Sequence, residues 1–240
     1  MTGKTQDSGT PTPLDITANF TAVRARIREA EERFGRPPGS VKLLAVSKTK
    51  PVPMVEAAYA ADQRAFGENY LQHAIPKIEA LRRLDDLEWH FIGPLQSNKS
   101  RPVAEHFHWL HTVERLKIAQ RLSAQRPEGM APLNLCIQVN VSGEQSKSGC
   151  TLEALPELAL AVAGLPNVKL RGLMCIPARA GSFEEQRAPF RALREAMERL
   201  NGEGMNLDTL SMGMSGDLEA AVAEGATLVR VGTALFGARP

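Results

Sequence analysis

Three clusters of residues in this 240-residue chain carry chemistry by type and spacing, and Lys48 heads the first. It follows Val41-Lys-Leu-Leu-Ala-Val-Ser47, an apolar run without alternation, as in a strand buried on both faces of a parallel sheet. A lysine emerging from such a strand is partly desolvated, and its neutral amine can form a Schiff base with an aldehyde. A strand-end lysine snorkelling to solvent fits the same position. Lys50 shares its parity and competes with it, although Lys50 abuts Pro51 and is expected beyond the last sheet residue. The second cluster is Ser211-Met-Gly-Met-Ser-Gly-Asp217. Ser215 is placed to cap a following helix, whose free N–H groups favour a phosphate, and plain capping is the alternative. Asp217 would repel a phosphate, so its carboxylate must point away. The third cluster is Arg230-Val-Gly-Thr233. Gly232 allows close backbone approach, Thr233 offers a hydroxyl and an N–H, and residues 234–237 suit a small extra helix. A buried Arg230 needs a partner, either a carboxylate on a neighbouring strand or an acceptor on a cofactor.

Together these parts compose a site for pyridoxal 5′-phosphate (PLP), the vitamin B6 cofactor: a lysine for the aldehyde, two loops for the phosphate and an arginine for the pyridine nitrogen. The arginine donates a hydrogen bond without readily giving up its proton. The ring nitrogen then stays unprotonated, the ring is a weak electron sink, and transamination is disfavoured.

Other polar residues read more plainly. His90 invites an acid/base role, but a hydrogen-bonded histidine in the barrel wall is the plainer reading. His106, His108 and His111 have no cysteine nearby and mixed facing, so no metal is expected and they read as surface and strand packing. Lys147 lacks a glycine-rich turn before it. The tyrosines are Tyr59, expected to pack in a helix, and Tyr70, which can approach the site. Cys136, Cys150 and Cys175 are odd in number and lack paired spacing. Residues 1–13 are polar and Pro/Gly-rich, a disordered leader with no apolar signal segment. Reduced thiols in the cytoplasm follow.

These residues need elements to position them. Phe20, Val23, Ile27, Ala30 and Phe34 share one face of an N-terminal helix. Strands are expected at 42–47, 65–67, 88–92, 109–112, 133–141, 168–174, 209–212 and 227–231. Helices are expected near 54–61, 99–105, 115–124, 151–164 and 217–224, with others carrying Leu71–Leu81 and Phe190–Leu200. Eight strand–helix repeats imply a single (β/α)₈ TIM barrel over 14–240, with its active end at the strands' carboxyl termini. A doubly wound sheet is the alternative, but no GxGxxG follows the first strand. Composition agrees: 43% hydrophobic and 23% charged residues suit a globular domain rather than a disordered chain. The net charge of +2 gives no footprint for nucleic acid, and no apolar run is long enough to span a membrane.

The motifs Leu44-Ala-Val-Ser-Lys-Thr-Lys-Pro51, Phe66-Gly-Glu-Asn-Tyr70, Glu88-Trp-His-Phe-Ile-Gly-Pro-Leu-Gln-Ser-Asn-Lys99 and Ser146-Lys-Ser-Gly149 resemble one family. So do Arg171-Gly-Leu-Met174, Gly213-Met-Ser215 and Val229-Arg-Val-Gly-Thr233. It is the pyridoxal phosphate homeostasis protein family, also called the proline-synthase co-transcribed family, and the likeness runs from about Val41 to Arg239. The resemblance implies the barrel of the alanine racemase N-terminal domain, with a Schiff base on Lys48. It implies phosphate contacts at Ser215, Gly232 and Thr233, the pyridine nitrogen at Arg230, and Asn69 and Met214 nearby. It further implies a monomeric, non-catalytic carrier that buffers or delivers PLP, with PLP-dependent apoenzymes as transient partners. The length leaves no room for the second domain from which alanine racemase takes its opposing tyrosine. A PLP-dependent amino-acid racemase is the alternative, and a barrel isomerase forming a Schiff base with a phosphorylated sugar a third.

Overall fold

The computed structural model describes residues 15–144 and 147–237. The expected leader, 1–13, lies outside the described residues, as do Ser146 and Arg239 of the motifs above. Helix α1 (Ile16–Arg33) opens the fold, capped by Asp15, whose carboxylate accepts from the Ala18 N–H at 2.9 Å. Its buried face is Phe20, Val23, Ile27 and Ala30, spaced by three and four residues.

The strands are β1 (Lys42–Val46), β2 (Ala65–Glu68), β3 (Glu88–Phe91), β4 (Trp109–Val113), β5 (Leu133–Gln138), β6 (Val168–Met174), β7 (Thr209–Ser211) and β8 (Leu228–Val231). All pair in parallel in chain order, and β8 returns to β1 to close the barrel. The helices between them are α2 (Val52–Ala60), α3 (Leu71–Ala80), α4 (Ser100–His106), α5 (Leu116–Gln125), α6 (Leu155–Ala163), α7 (Phe183–Gly202) and α8 (Leu218–Ala223). A 3₁₀ turn at Ser97–Lys99 leads into α4, and α9 (Thr233–Phe236) follows β8. The chain is thus the expected (β/α)₈ barrel with an extra N-terminal helix. Among the described residues, no helix is long and apolar enough to cross a membrane.

Period two along each strand divides the core into two layers. Phe66, Phe91, Leu110, Ile137, Leu173, Leu210 and Val229 pack outward into the large cluster shared with the helices. The other parity fills the barrel with two small apolar clusters, Leu44–Ile92–Leu228 and Trp109–Cys136–Met174. Between them lie buried polar residues, among them His90, His111, Ser211 and Arg230.

Most boundaries shift by a residue or two from the sequence pattern, and three differences have a visible local cause. Strand β5 stops at Gln138, because Val139 makes an isolated bridge to Cys150 and Asn140 turns its amide onto the Glu144 carbonyl. Helix α6 starts at Leu155 rather than 151, because the Thr151 hydroxyl takes the Ala154 N–H in a preceding turn. Helix α8 has Asp217, not Ser215, at its N-cap position, with no side-chain cap.

Candidate functional site

At the carboxyl ends of the strands lies a cavity of about 550 Å³. Lys48, Asn69, Met214, Ser215, Arg230, Gly232 and Thr233 all line it, together with Lys50, Asp217, Gln186 and the segment from Ile176 to Ala180. Sequence reasoning missed that last segment, which follows β6 and forms the outer wall.

Lys48 and Lys50 both lie past the end of β1. Between them Thr49 takes φ +63°, a left-handed conformation strained for a β-branched residue. Lys50 Nζ donates to the Gly237 carbonyl at 3.2 Å. The residue before Lys48 is pinned from three sides. The Ser47 N–H donates to Gly67 O at 3.0 Å, its hydroxyl donates to Glu68 Oε1 at 2.6 Å, and its carbonyl accepts from Lys77 Nζ at 2.9 Å. Lys77 also bonds Glu68 Oε1 at 2.6 Å, a buried ion pair anchoring the base of the lysine-bearing loop. On the neighbouring strand end, Gly93 packs so closely on Asn69 that a Cβ would sit 2.1 Å from the Asn69 carbonyl oxygen. Asn69 Oδ1 is buried and has no hydrogen-bond partner among the described residues.

The opposite wall is a backbone cradle. Gly213 adopts φ +94°, and a Cβ there would meet the Ala221 Cβ at 2.5 Å, so the turn after β7 requires glycine. The Met214 N–H donates to Asp217 Oδ1 at 2.6 Å. That contact turns the Asp217 oxygen back onto its own loop, and burial raises its carboxyl pKa. Among the described residues, no carbonyl accepts from the N–H groups of Ser215, Gly216, Gly232 or Thr233. These donors, with the Ser215 and Thr233 hydroxyls, sit where an anion would receive them.

Arg230 is 4% exposed. Its partners within the protein are two carbonyls and a hydroxyl, not a carboxylate on a neighbouring strand. Nη1 donates to the Ser211 carbonyl at 2.6 Å and to Ser211 Oγ at 2.8 Å, and Nη2 donates to the Cys175 carbonyl at 2.9 Å. From Ser211 the contacts continue through the barrel. Ser211 Oγ lies 2.7 Å from His111 Nδ1, His111 Nε2 lies 2.9 Å from His90 Nδ1, and His90 Nε2 lies 2.7 Å from Glu88 Oε1. Trp109 stacks on His90, ring centroids 5.3 Å apart. Burial pushes both imidazoles down, His111 far down with help from His90 and Arg230. The hydrogen bond to His90 lowers Glu88 to about 2.

His111 therefore lies inside the barrel, not at the surface. The signal was period-two parity, which puts Glu88/His90, Trp109/His111, Thr209/Ser211 and Leu228/Arg230 on inward faces. His108 holds the strand edge by accepting from the Trp89 N–H at 2.9 Å. Tyr59 bonds Asp86 on the outside, and Tyr70 is 42% exposed and outside the cavity lining. Lys147 is exposed. Among the described residues, no cluster of histidine, cysteine or carboxylate side chains suits a metal.

The fold and the cavity define a class: a (β/α)₈ barrel with a lysine at the end of its first strand and an anion cradle after its last two. The family model described as alanine racemase, N-terminal domain, matches residues 18–240. The pyridoxal phosphate homeostasis protein of Pseudomonas aeruginosa is 62% identical over 224 residues, covering 93% of this chain and 96% of that one. A structure of PipY from Synechococcus elongatus with PLP bound superposes with TM-score 0.82 at 39% identity, covering 93% of this chain and all of that one. Alanine racemase from Corynebacterium glutamicum shares the fold, with TM-score 0.66 at 18% identity over 92% of this chain and 62% of that one. The chain belongs to the alanine racemase N-terminal domain family and, within it, to the pyridoxal phosphate homeostasis proteins.

Proposed function

We propose that this protein binds PLP in the strand-end cavity, carries it as a Schiff base on Lys48, and holds it for buffering or delivery rather than turning over a substrate. The observation that carries this reading is the convergence on one cavity of Lys48, the Ser215–Gly216 and Gly232–Thr233 N–H groups, and Arg230. These functions answer to an aldehyde, a phosphate and a ring nitrogen on one small molecule. The unpaired Asn69 Oδ1 adds a polar atom still to be satisfied at the cavity. PLP supplies an aldehyde and a conjugated ring. Lys48 would hold the cofactor through its aldehyde. Ser215, Gly216, Gly232 and Thr233 orient the phosphate by hydrogen bonds. Arg230 donates to the ring nitrogen and keeps its proton. Met214 and Asn69 border the ring.

A holding role is supported by two features. Neither Tyr59 nor Tyr70 lines the cavity, so a racemase's opposing acid/base is not supplied by a tyrosine among the described residues. The arginine facing the ring weakens carbanion chemistry. Cytoplasmic residence is supported by three buried free thiols. We take the protein as a monomer and PLP-dependent apoenzymes as its transient recipients.

Borohydride reduction of the PLP-loaded protein, followed by peptide mass analysis, tests the site. The label is expected on Lys48, and Lys48→Ala should be colourless. A label on Lys50 overturns the assignment. Incubation with L-amino acids in heavy water tests the holding role. Rapid Cα exchange with appearance of the D-isomer identifies a racemase instead.

A further inference from the structure

The polar chain inside the barrel is longer than packing requires. It starts at Glu88, whose carboxylate is 42% exposed near the amino-terminal end of the barrel, and ends on Arg230 in the cavity wall. Its direction follows from its ends. A carboxylate only accepts and a guanidinium only donates. Glu88 therefore takes the proton of His90 Nε2, and His90 Nδ1 must accept from His111 Nε2. His111 Nδ1 then accepts from the Ser211 hydroxyl, whose oxygen accepts from Arg230. Every donor finds one acceptor, with both imidazoles neutral. Three of the five guanidinium N–H groups are committed to Ser211 and Cys175, which fixes the plane of the guanidinium at the cavity wall.

We propose that Glu88, His90, His111 and Ser211 are positioning residues that hold the Arg230 guanidinium in one orientation through a one-way hydrogen-bond chain. Resting on the PLP reading, this assigns the chain the task of presenting a fixed guanidinium donor to the single lone pair of the ring nitrogen. The same polarity blocks proton delivery from the barrel interior. A proton moving toward Arg230 would require every link to reverse against a carboxylate that cannot donate. Burial keeps both imidazoles neutral, so no second positive charge stands behind the arginine. Histidines serving only as filler would need no common tautomer and would not sense the cavity.

Nitrogen-15 NMR of histidine-labelled protein, before and after PLP is added, reads the chain directly. His90 and His111 are each expected to be neutral, protonated on Nε2 and bare on Nδ1. PLP loading should move the His111 signals, and the His90 signals less. Glu88→Gln, whose amide can also donate, should add a second set of imidazole signals. Asp86→Asn, on the same end of the barrel but outside the chain, should not. Ser211→Ala keeps both backbone carbonyl contacts to Arg230 and should weaken PLP binding by about tenfold, the worth of a hydrogen bond to a charged group. Borohydride should still fix the remaining cofactor on Lys48. If PLP binds the wild-type protein, yet His111 is silent and Ser211→Ala binds within twofold, the positioning role is overturned and the PLP reading stands. If PLP does not bind the wild-type protein, both fall.

Discussion

Lys77→Met should be among the most destabilising substitutions in the barrel. Lys77 on α3 is 5% exposed and Glu68 on β2 is fully buried, with 2.6 Å between Nζ and Oε1. The same ammonium satisfies the Ser47 carbonyl. Methionine fills a similar volume but strands a buried carboxylate and leaves that carbonyl unbonded. Breaking one side of a buried pair costs about 3–5 kcal/mol, which raises the unfolded fraction by at least about a hundredfold. With a urea slope of about 1–3 kcal/mol per M, the midpoint falls by roughly 1–5 M. Arg83→Met breaks the exposed pair with Glu56 and serves as the control. It should cost no more than about 1 kcal/mol. Glu68→Gln added to Lys77→Met removes the stranded charge and keeps an acceptor for the Ser47 hydroxyl, so it should recover at least half the loss. Urea titrations at pH 7 followed by tryptophan fluorescence measure all four proteins. A loss at Lys77→Met no larger than at Arg83→Met, or no recovery in the double variant, would refute the reasoning.

Stability should fall as the solution is acidified. Burial holds His90 below its ordinary 6.5, and the bond from His90 holds Glu88 at about 2 against an ordinary 4.5. Both folded values are depressed, so the contribution is complete above pH 6.5, eroded first through His90, then through Glu88 between about pH 4.5 and 2. Urea midpoints at pH 7, 5 and 3 should decline in that order, with Glu88→Gln flattening the lower limb; a rise from pH 7 to 5 contradicts the sign. Gly213→Ala should cost about 1–3 kcal/mol, from a Cβ 2.5 Å from Ala221 and a left-handed φ, and should weaken phosphate capture. Equal thermal midpoints for variant and wild type would show that the turn yields. Burial raises Cys136 and Cys175 to about 12 and Cys150 to about 11, so a thiol reagent at pH 8 should label none in the native protein and all three in denaturant. Fast native labelling of Cys136 would show that the β5 interior is open.

The barrel was legible because strands covered on both faces leave continuous apolar runs. Strand β6, Val168–Met174, matches its sequence pattern from end to end. The seven candidate residues converge on one cavity for a similar reason: the carboxyl end of each strand is fixed once the strand is known. Local pattern fails where a turn competes with an element. The Thr151 hydroxyl delays α6, and Asp217 takes the cap position expected of Ser215. The chain from Arg230 to Glu88 was harder to see because its middle contact joins His111 on β4 to Ser211 on β7, 100 residues apart. Only the closed barrel makes β4 and β7 face each other. The pairing of β4 with β5 also shifts register between Leu110 and Val113, so parity cannot simply be counted to the end of β4.

Closure is also what assembles the cavity. Lys48 follows the first strand and Arg230, Gly232 and Thr233 come from the last, and they become neighbours only through the pairing of Leu44 with Arg230 and Ala45 with Val231. Helix α9 then packs back on α1, Phe20 against Phe236 at 5.8 Å, so both ends of the described chain are tied at this seam. A ligand bridging Lys48 and the β7–β8 cradle cross-links the same seam. An open barrel has no such bridge to offer, so binding must favour the closed state. At a hundred times its dissociation constant the ligand adds about 2.7 kcal/mol to stability. Holding a cofactor and closing the barrel are therefore one equilibrium. A mutation that loosens the β1–β8 seam should weaken cofactor retention without touching any residue of the cavity, and the loss of affinity should match the loss of closure.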